Sequence, residues 1–203
     1  EAIPSDQKVL VVFGGGSIKK NGVYDQVSEA LEGHEWLEFS GVEPNPTKET
    51  LDKAVAMVKE HGIDFILAVG GGSVIDGSKY VAAASKYDGD GWDIMIGKHQ
   101  VTEATPLAAI LTLPATGSES NMGAVITKKE TQDKLPFMSP AVQPKFAVLD
   151  PDVMKTLPER QLINGIVDAW VHVCEQYLTL PTGAMVQDGY AETLLKTLKT
   201  LGE

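Results

Sequence analysis

The chain has a single cysteine, Cys174. No internal disulfide framework can hold it, and the composition suits a reducing compartment. It also lacks an apolar run near the ~20 residues that cross a bilayer. The opening stretch, Glu1 to Lys8, is polar and acidic and shows no secretory pattern. These absences lead us to expect a soluble, cytoplasmic protein without a membrane partner. Positive charge is scarce, and the formal net charge is −11. That balance argues against a nucleic-acid partner, which needs basic patches, and otherwise speaks to solubility rather than fold. Neither GxGxxG nor a P-loop occurs, since no Gly-Lys-Ser/Thr follows either glycine run. What is present is 203 residues with 43% hydrophobic content. That is enough for one large domain, or one domain and part of another, around a real core.

The chain is organised around the stretch from Phe65 to Gly77. Phe65-Ile66-Leu67-Ala68-Val69 reads as a buried parallel strand, followed by Gly70-Gly71-Gly72-Ser73 and the first turn of a helix. Glycines there remove every Cβ, so a ligand can approach the backbone. The helix start offers free N–H groups and the positive end of a dipole, which suits a phosphate or pyrophosphate. The bland alternative is a tight turn that binds nothing. The same order opens the chain: Lys8 to Phe13 as a strand, Gly14-Gly15-Gly16-Ser17, then a helix from Tyr24 to Leu31.

Further strands are expected at Trp36 to Phe39, Leu107 to Leu113, Met122 to Thr127 and Lys145 to Leu149. Thr47 or Thr50 caps a helix with the apolar stripe Leu51, Val55 and Val58. Ser73 to Ser85 is an alanine-rich helix. Tyr87 to Gln100 reads as a surface loop, and Lys128 to Lys134 as a charged separator between two strands. From Leu157 onward the pattern is helical, at Gln161 to Tyr177 and Ala184 to Leu201, the latter running on toward Glu203. The expected boundary lies near 151–158. Alternating strands and helices imply an α/β fold with a parallel sheet. Ligands then sit beyond the carboxyl ends of the strands, where the turns at Gly14, Asn45, Gly70 and Thr112 to Ser118 should converge.

Asp168 and His172 lie at i and i+4 of the first late helix, on one face. A carboxylate and an imidazole so placed can share a divalent metal. The bland reading is an intrahelical contact. Cys174 faces elsewhere, and His34, His61 and His99 show no ligand spacing to Asp168.

Taken in order, Phe13-Gly14-Gly15-Gly16-Ser17-Ile18-Lys19, Val42-Glu43-Pro44-Asn45-Pro46, Ala68 to Asp76, Thr112-Leu113-Pro114-Ala115-Thr116-Gly117-Ser118-Glu119 and Asp168-Ala169-Trp170-Val171-His172 resemble the iron-containing (group III) alcohol dehydrogenases. The likeness is greatest to their NADPH-dependent butanol dehydrogenase and aldehyde reductase branch, and it covers essentially the whole chain. It implies a Rossmann-like dinucleotide-binding domain over 1–155, then the first helices of an all-α metal-binding domain over 156–203. By this resemblance Gly71, Gly72 and Ser73 hold the pyrophosphate and Asp76 lies near the nicotinamide ribose. Thr112, Leu113, Thr116 and Ser118 line the cofactor cleft, Lys134 contacts a ribose, and Asn45 sits at the adenosine end. Asp168 and His172 match the first two of four ligands to Fe2+ or Zn2+. The family's other two ligand histidines, and its opening strand, have no counterpart here, so an excised piece of a larger enzyme is expected.

The resemblance implies hydride transfer between NADP(H) and an alcohol or aldehyde, by a homodimer. The alternatives are a nucleotide-binding module without catalysis, or a lyase similar to dehydroquinate synthase. The Thr-Gly-Ser-Glu and Val-Glu-Pro-Asn-Pro segments argue against the lyase. A physical argument favours NADP over NAD. No acidic residue follows the first strand until Asp25, while Gly14, Gly15, Gly16, the Ser17 hydroxyl and Lys19 or Lys20 would accept a 2′-phosphate. The bland alternative leaves both lysines solvated.

Overall fold

The computed structural model describes residues 2–202. Glu1 and Glu203, the outer bounds of the two expected domains, lie outside the described residues.

Strand β1 (Val9–Phe13) is buried at every position, as an apolar run needs when both faces of a sheet are covered. Two helices follow, α1 (Ser17–Lys20) and α2 (Val23–Ala30), then β2 (Trp36–Phe39) and α3 (Lys48–His61). Next come β3 (Phe65–Gly71), α4 (Gly72–Ala84), a short α5 (Trp92–Met95) and β4 (Leu107–Leu113). A hairpin is formed by β5 (Gly123–Lys128) and β6 (Asp133–Met138), and β7 (Ala147–Val148) adds a short edge strand. The chain closes with α6 (Pro151–Met154), α7 (Glu159–Tyr177) and α8 (Met185–Gly202).

The main sheet has the order β2-β1-β3-β4-β7, and every pairing in it is parallel. Side chains alternate between its faces. Leu10, Val12, Ile66, Ala68, Leu107 and Ala109 meet α3 and α4 on one side. Val9, Val11, Phe13, Phe65, Leu67 and Val69 meet α2 on the other. Small residues let the helices come close. A Cβ on Gly77 of α4 would stand 2.8 Å from Leu51 Cδ2 of α3. The stripe of α3 is as expected, with Leu51 and Val58 buried and Val55 packed against the core. Thr47 is its N-cap residue, but its hydroxyl donates to Glu43 Oε1 at 2.5 Å instead of capping the backbone.

Two local readings need correction. The stretch from Tyr87 to Gln100 is not only surface loop, because α5 places Trp92, Ile94 and Met95 in the core. Its polar residues serve the turn: Asp90 Oδ1 accepts from the Trp92 N–H, and the Asp93 carbonyl from the N–H groups of Lys98 and His99. The segment Lys128 to Lys134 is not a separator between sheet strands, because it turns β5 into an unforeseen β6. Pro136 argues against a strand on sequence grounds. In the hairpin it stands opposite Val125, whose N–H is spent on Asp76 Oδ2 at 2.9 Å. Opposed antiparallel residues exchange both bonds or neither, so the missing proline N–H costs nothing there.

Helices α7 and α8 pack on each other, and Tyr177 donates to Glu192 Oε1 at 3.0 Å across them. Val171 is exposed and Trp170 half-buried.

Candidate functional site

The carboxyl ends of β1, β3 and β4 open on one side of the sheet, and the turns after them enclose a cleft of about 540 Å³. That volume suits a small-molecule ligand. Its wall comes from residues 14–18, 42, 44, 69–74, 112, 113 and 116, with 157 and 158 just before α7 and 161 in its first turn. The loop after β2 joins the wall because the Gly41 N–H donates to the Gly14 carbonyl at 3.0 Å and the Val42 N–H to that of Phe13 at 3.3 Å. Gly14 and Gly71 therefore face a common space.

The glycines have different tasks. Gly16 has φ +91° at the start of α1, a left-handed conformation that favours glycine. Nothing lies within 4 Å of a Cβ built on Gly15 or Gly16, so these positions leave open room. Gly70 and Gly72 are forced by contact: a Cβ would meet Val74 at 2.6 Å on the first and Thr116 Oγ1 at 2.4 Å on the second. A register shift at Gly70/Gly71 ends β3 directly against α4. No side chain caps the start of α4, so its first N–H groups are available to an anion at the positive end of the helix dipole. A pyrophosphate fits this bare cradle. No carboxylate and no lysine or arginine lines the cleft among the described residues.

Of the expected cofactor residues, Gly14, Gly15, Gly16, Ser17, Gly71, Gly72, Ser73, Thr112, Leu113 and Thr116 line this cleft. Asn45, Asp76, Ser118 and Lys134 do not. Asn45 is at the rim, with φ +56°. Its N–H donates to Ser73 Oγ at 3.4 Å and its Oδ1 accepts from Lys134 Nζ at 2.7 Å. Lys134 reaches it from β6. Asp76 and Ser118 bond to each other at 2.6 Å, and burial raises the Asp76 pKa above the ordinary carboxylate value while the Ser118 and Val125 donors oppose that shift. Leu157, Pro158 and Gln161 were not foreseen. They reach the cleft because α7 rests on the turn after β4, where a Cβ on Gly165 would stand 2.7 Å from the Pro114 carbonyl oxygen.

Lys19 is committed to Glu38, its Nζ at 3.2 Å from Oε1, and it lies 4.4 Å from the Tyr24 ring centroid. Tyr24 also donates to Glu38 Oε2 at 2.8 Å, the main reason the Glu38 carboxyl sits below its usual range. An acidic group thus stands beside α1 although none is near in sequence, because Glu38 of β2 pairs with Val11 of β1. Lys20 has no side-chain partner among the described residues.

Asp168 Oδ2 and His172 Nε2 are 3.7 Å apart on one face of α7, both partly exposed. Among the described residues no group of three or more His, Cys, Asp or Glu could hold a metal ion. The pair fits part of a metal's ligand set, and the spacing also fits a simple side-chain contact.

Residues 1–151 match the family described as iron-containing alcohol dehydrogenase. The chain is 56% identical over 201 residues to the NADPH-dependent aldehyde reductase YqhD of Escherichia coli (strain K12), covering 98% of this chain and 52% of that protein. It is 52% identical over 200 residues to the probable NADH-dependent butanol dehydrogenase 1 of Bacillus subtilis (strain 168), again covering 98% of this chain and 52% of the relative. The crystal structure of Escherichia coli K-12 YqhD superposes with a TM-score of 0.95 at 54% identity, over 98% of this chain and 52% of that one. NADH-dependent butanol dehydrogenase A of Thermotoga maritima does so at 0.88 and 44%, over 97% and 50%. The chain spans about half the length of the curated relatives it matches. With its parallel sheet, glycine turns and helical end in the same order, the chain belongs to the iron-containing alcohol dehydrogenase family.

Proposed function

We propose that this chain is the dinucleotide-binding part, residues 1–155, and the first metal-domain helices, residues 156–203, of an oxidoreductase that moves hydride between NADP(H) and an alcohol or aldehyde of the butanol dehydrogenase and aldehyde reductase type. One observation carries the reading: bare backbone from several strand ends faces a common cleft at the uncapped start of α4. The relatives' names support a reductase or dehydrogenase over a bare binding module.

In this reading the N–H groups at Gly71, Gly72 and Ser73 bind the pyrophosphate, and Thr112, Leu113 and Thr116 orient the nicotinamide end. The cofactor supplies the hydride chemistry, and the protein supplies orientation and a shielded setting. Asp168 and His172 would hold part of the shell of a divalent ion such as Fe2+ or Zn2+, which supplies Lewis acidity toward a substrate oxygen. Since a metal site takes three or four protein ligands, the remainder would come from the half of the relatives' length that this chain does not span.

Relatives are named for either nicotinamide cofactor. Support for NADP here is the glycine turn at Gly14 to Gly16, which no carboxylate lines, the Ser17 hydroxyl, the pairing of the nearby Glu38 with Lys19, and Lys20, which has no side-chain partner among the described residues. Binding of NADPH and NADH to the purified chain tests this. Tighter NADPH binding is expected, and equal affinities would defeat the phosphate argument. Turnover of butyraldehyde by the chain with added NADPH and metal would show catalysis without the part of the relatives' length that this chain does not span.

A further inference from the structure

Lys79 has no task in the reading above, yet it is fully buried in α4. Its ammonium group donates to Ser118 Oγ at 3.1 Å, Asn121 Oδ1 at 2.8 Å and the Gly123 carbonyl at 2.8 Å. Those three bonds use its full donor capacity. Asp76, one turn earlier on the same helix face, closes the network. Its Oδ1 accepts from the Ser118 hydroxyl at 2.6 Å and its Oδ2 from the Val125 N–H at 2.9 Å. A buried charge is tolerated only with partners of this kind. Burial pulls the Lys79 pKa from 10.5 down to about 8, with Asp76 and Glu119 acting against that shift.

The network ties α4 to the turn after β4 and to the start of β5. Thr116 belongs to that turn, and its Oγ1 accepts from the Ser118 N–H at 3.3 Å. It packs so closely over Gly72 that a Cβ there would stand 2.4 Å from its hydroxyl. Helix α4 therefore supplies both the glycine floor of the cleft and, through Lys79, the clamp on the turn that covers this floor. Among the described residues no hydrogen bond joins the other glycine turn, at Gly14 to Gly16 with Ser17 and Lys20, to the network.

We propose that Lys79 is a positioning residue for the dinucleotide: through Ser118, Asn121 and Gly123 it holds Thr116 against the Gly72 end of the cleft, and so sets affinity for the half of the cofactor resting there. The inference depends on the dinucleotide reading of the cleft. Its mark is locality. Loss of Lys79 weakens the pyrophosphate and nicotinamide half and spares the adenosine 2′-phosphate half.

The test uses the purified chain, with NADPH and adenosine 2′-phosphate as probes, dissociation constants from fluorescence titration, and thermal melts of each unliganded variant. Lys79→Met is expected to weaken NADPH about tenfold and to leave adenosine 2′-phosphate unchanged. Asn121→Ala, which removes one acceptor without touching the cleft, should show a smaller loss with the same selectivity. If Lys79→Met does not fold, Asn121→Ala decides by the same criteria. Unchanged NADPH affinity in a folded variant, or equal losses for both probes, overturns the inference alone. Failure of the unmodified chain to bind either probe overturns the dinucleotide reading and this inference with it.

Discussion

The sheet portion and the helical end of this chain are held together in different ways. In the sheet, β1 is buried throughout and α4 is buried at most of its positions. In α7 only Gly165 is buried, and in α8 no residue is, while Val167, Val171, Leu194 and Leu201 lie open to solvent. The sheet portion thus supplies its own hydrophobic stabilisation. Among the described residues the apolar side chains of the two late helices lie largely uncovered, so they add little of that stabilisation. The cleft lies where the two meet, so its shape draws on the buried side for Gly70 to Ser73 and on the open side for Pro158 and Gln161.

The largest test of this contrast is in the core. Leu10→Ala removes a side chain with no exposed surface and should destabilise the fold by about 2–5 kcal/mol, read from urea unfolding. A smaller loss would mean that the sheet is less tightly packed than described. Next is Gly72→Ala, whose new methyl group must displace Thr116. We expect overpacking of about 1–3 kcal/mol, felt mainly as weaker NADPH binding in a fluorescence titration. Full retention of affinity would show that the cleft does not need a bare floor at that position.

Acid should separate the two regions more gently. Burial pushes the Glu43 carboxyl up, but donors from Thr47, its own backbone, Thr50 and Lys129 outweigh it and hold the group below the usual 4.5. Glu49, which accepts from the N–H groups of Lys129 and Glu130 at the hairpin turn, is also lowered. The unfolded chain therefore takes up protons first as pH falls. The stabilisation from these carboxylates is complete above pH 4.5 and is lost as pH drops through their folded values. Urea midpoints measured from pH 6 downward should fall less in Glu43→Gln than in the unmodified chain, and identical slopes would contradict this. The smallest effect belongs to the open end: Leu194→Ala, at a position 51% exposed, should change stability by no more than about 0.5 kcal/mol. A loss near that of Leu10→Ala would show that the helices have cover after all.

What was legible in advance follows from the range of each interaction. The buried strands, the glycine turns and the Asp168–His172 pair are local patterns, and they were readable because apolar runs, absent Cβ atoms and i, i+4 spacing act within a few residues. Lys79 was not readable. A lysine in a helix normally extends into water, and only the arrival of Asn121 and Gly123, more than forty residues on, makes burial of its charge tolerable. Glu38 escaped notice beside Lys19 for the same reason, since strand pairing rather than sequence proximity joins them. The charged run from Lys128 to Lys134 hid the turn into β6, and a polar surround hid the buried face of α5.

The sequence by itself determined that strands would end in bare backbone at one edge of a parallel sheet, because alternation of strand and helix leaves the chain no other place to turn. Only the tertiary structure decided which side chains stand behind that edge. Burial of charge depends on partners that meet through packing, and no spacing along the chain announces them.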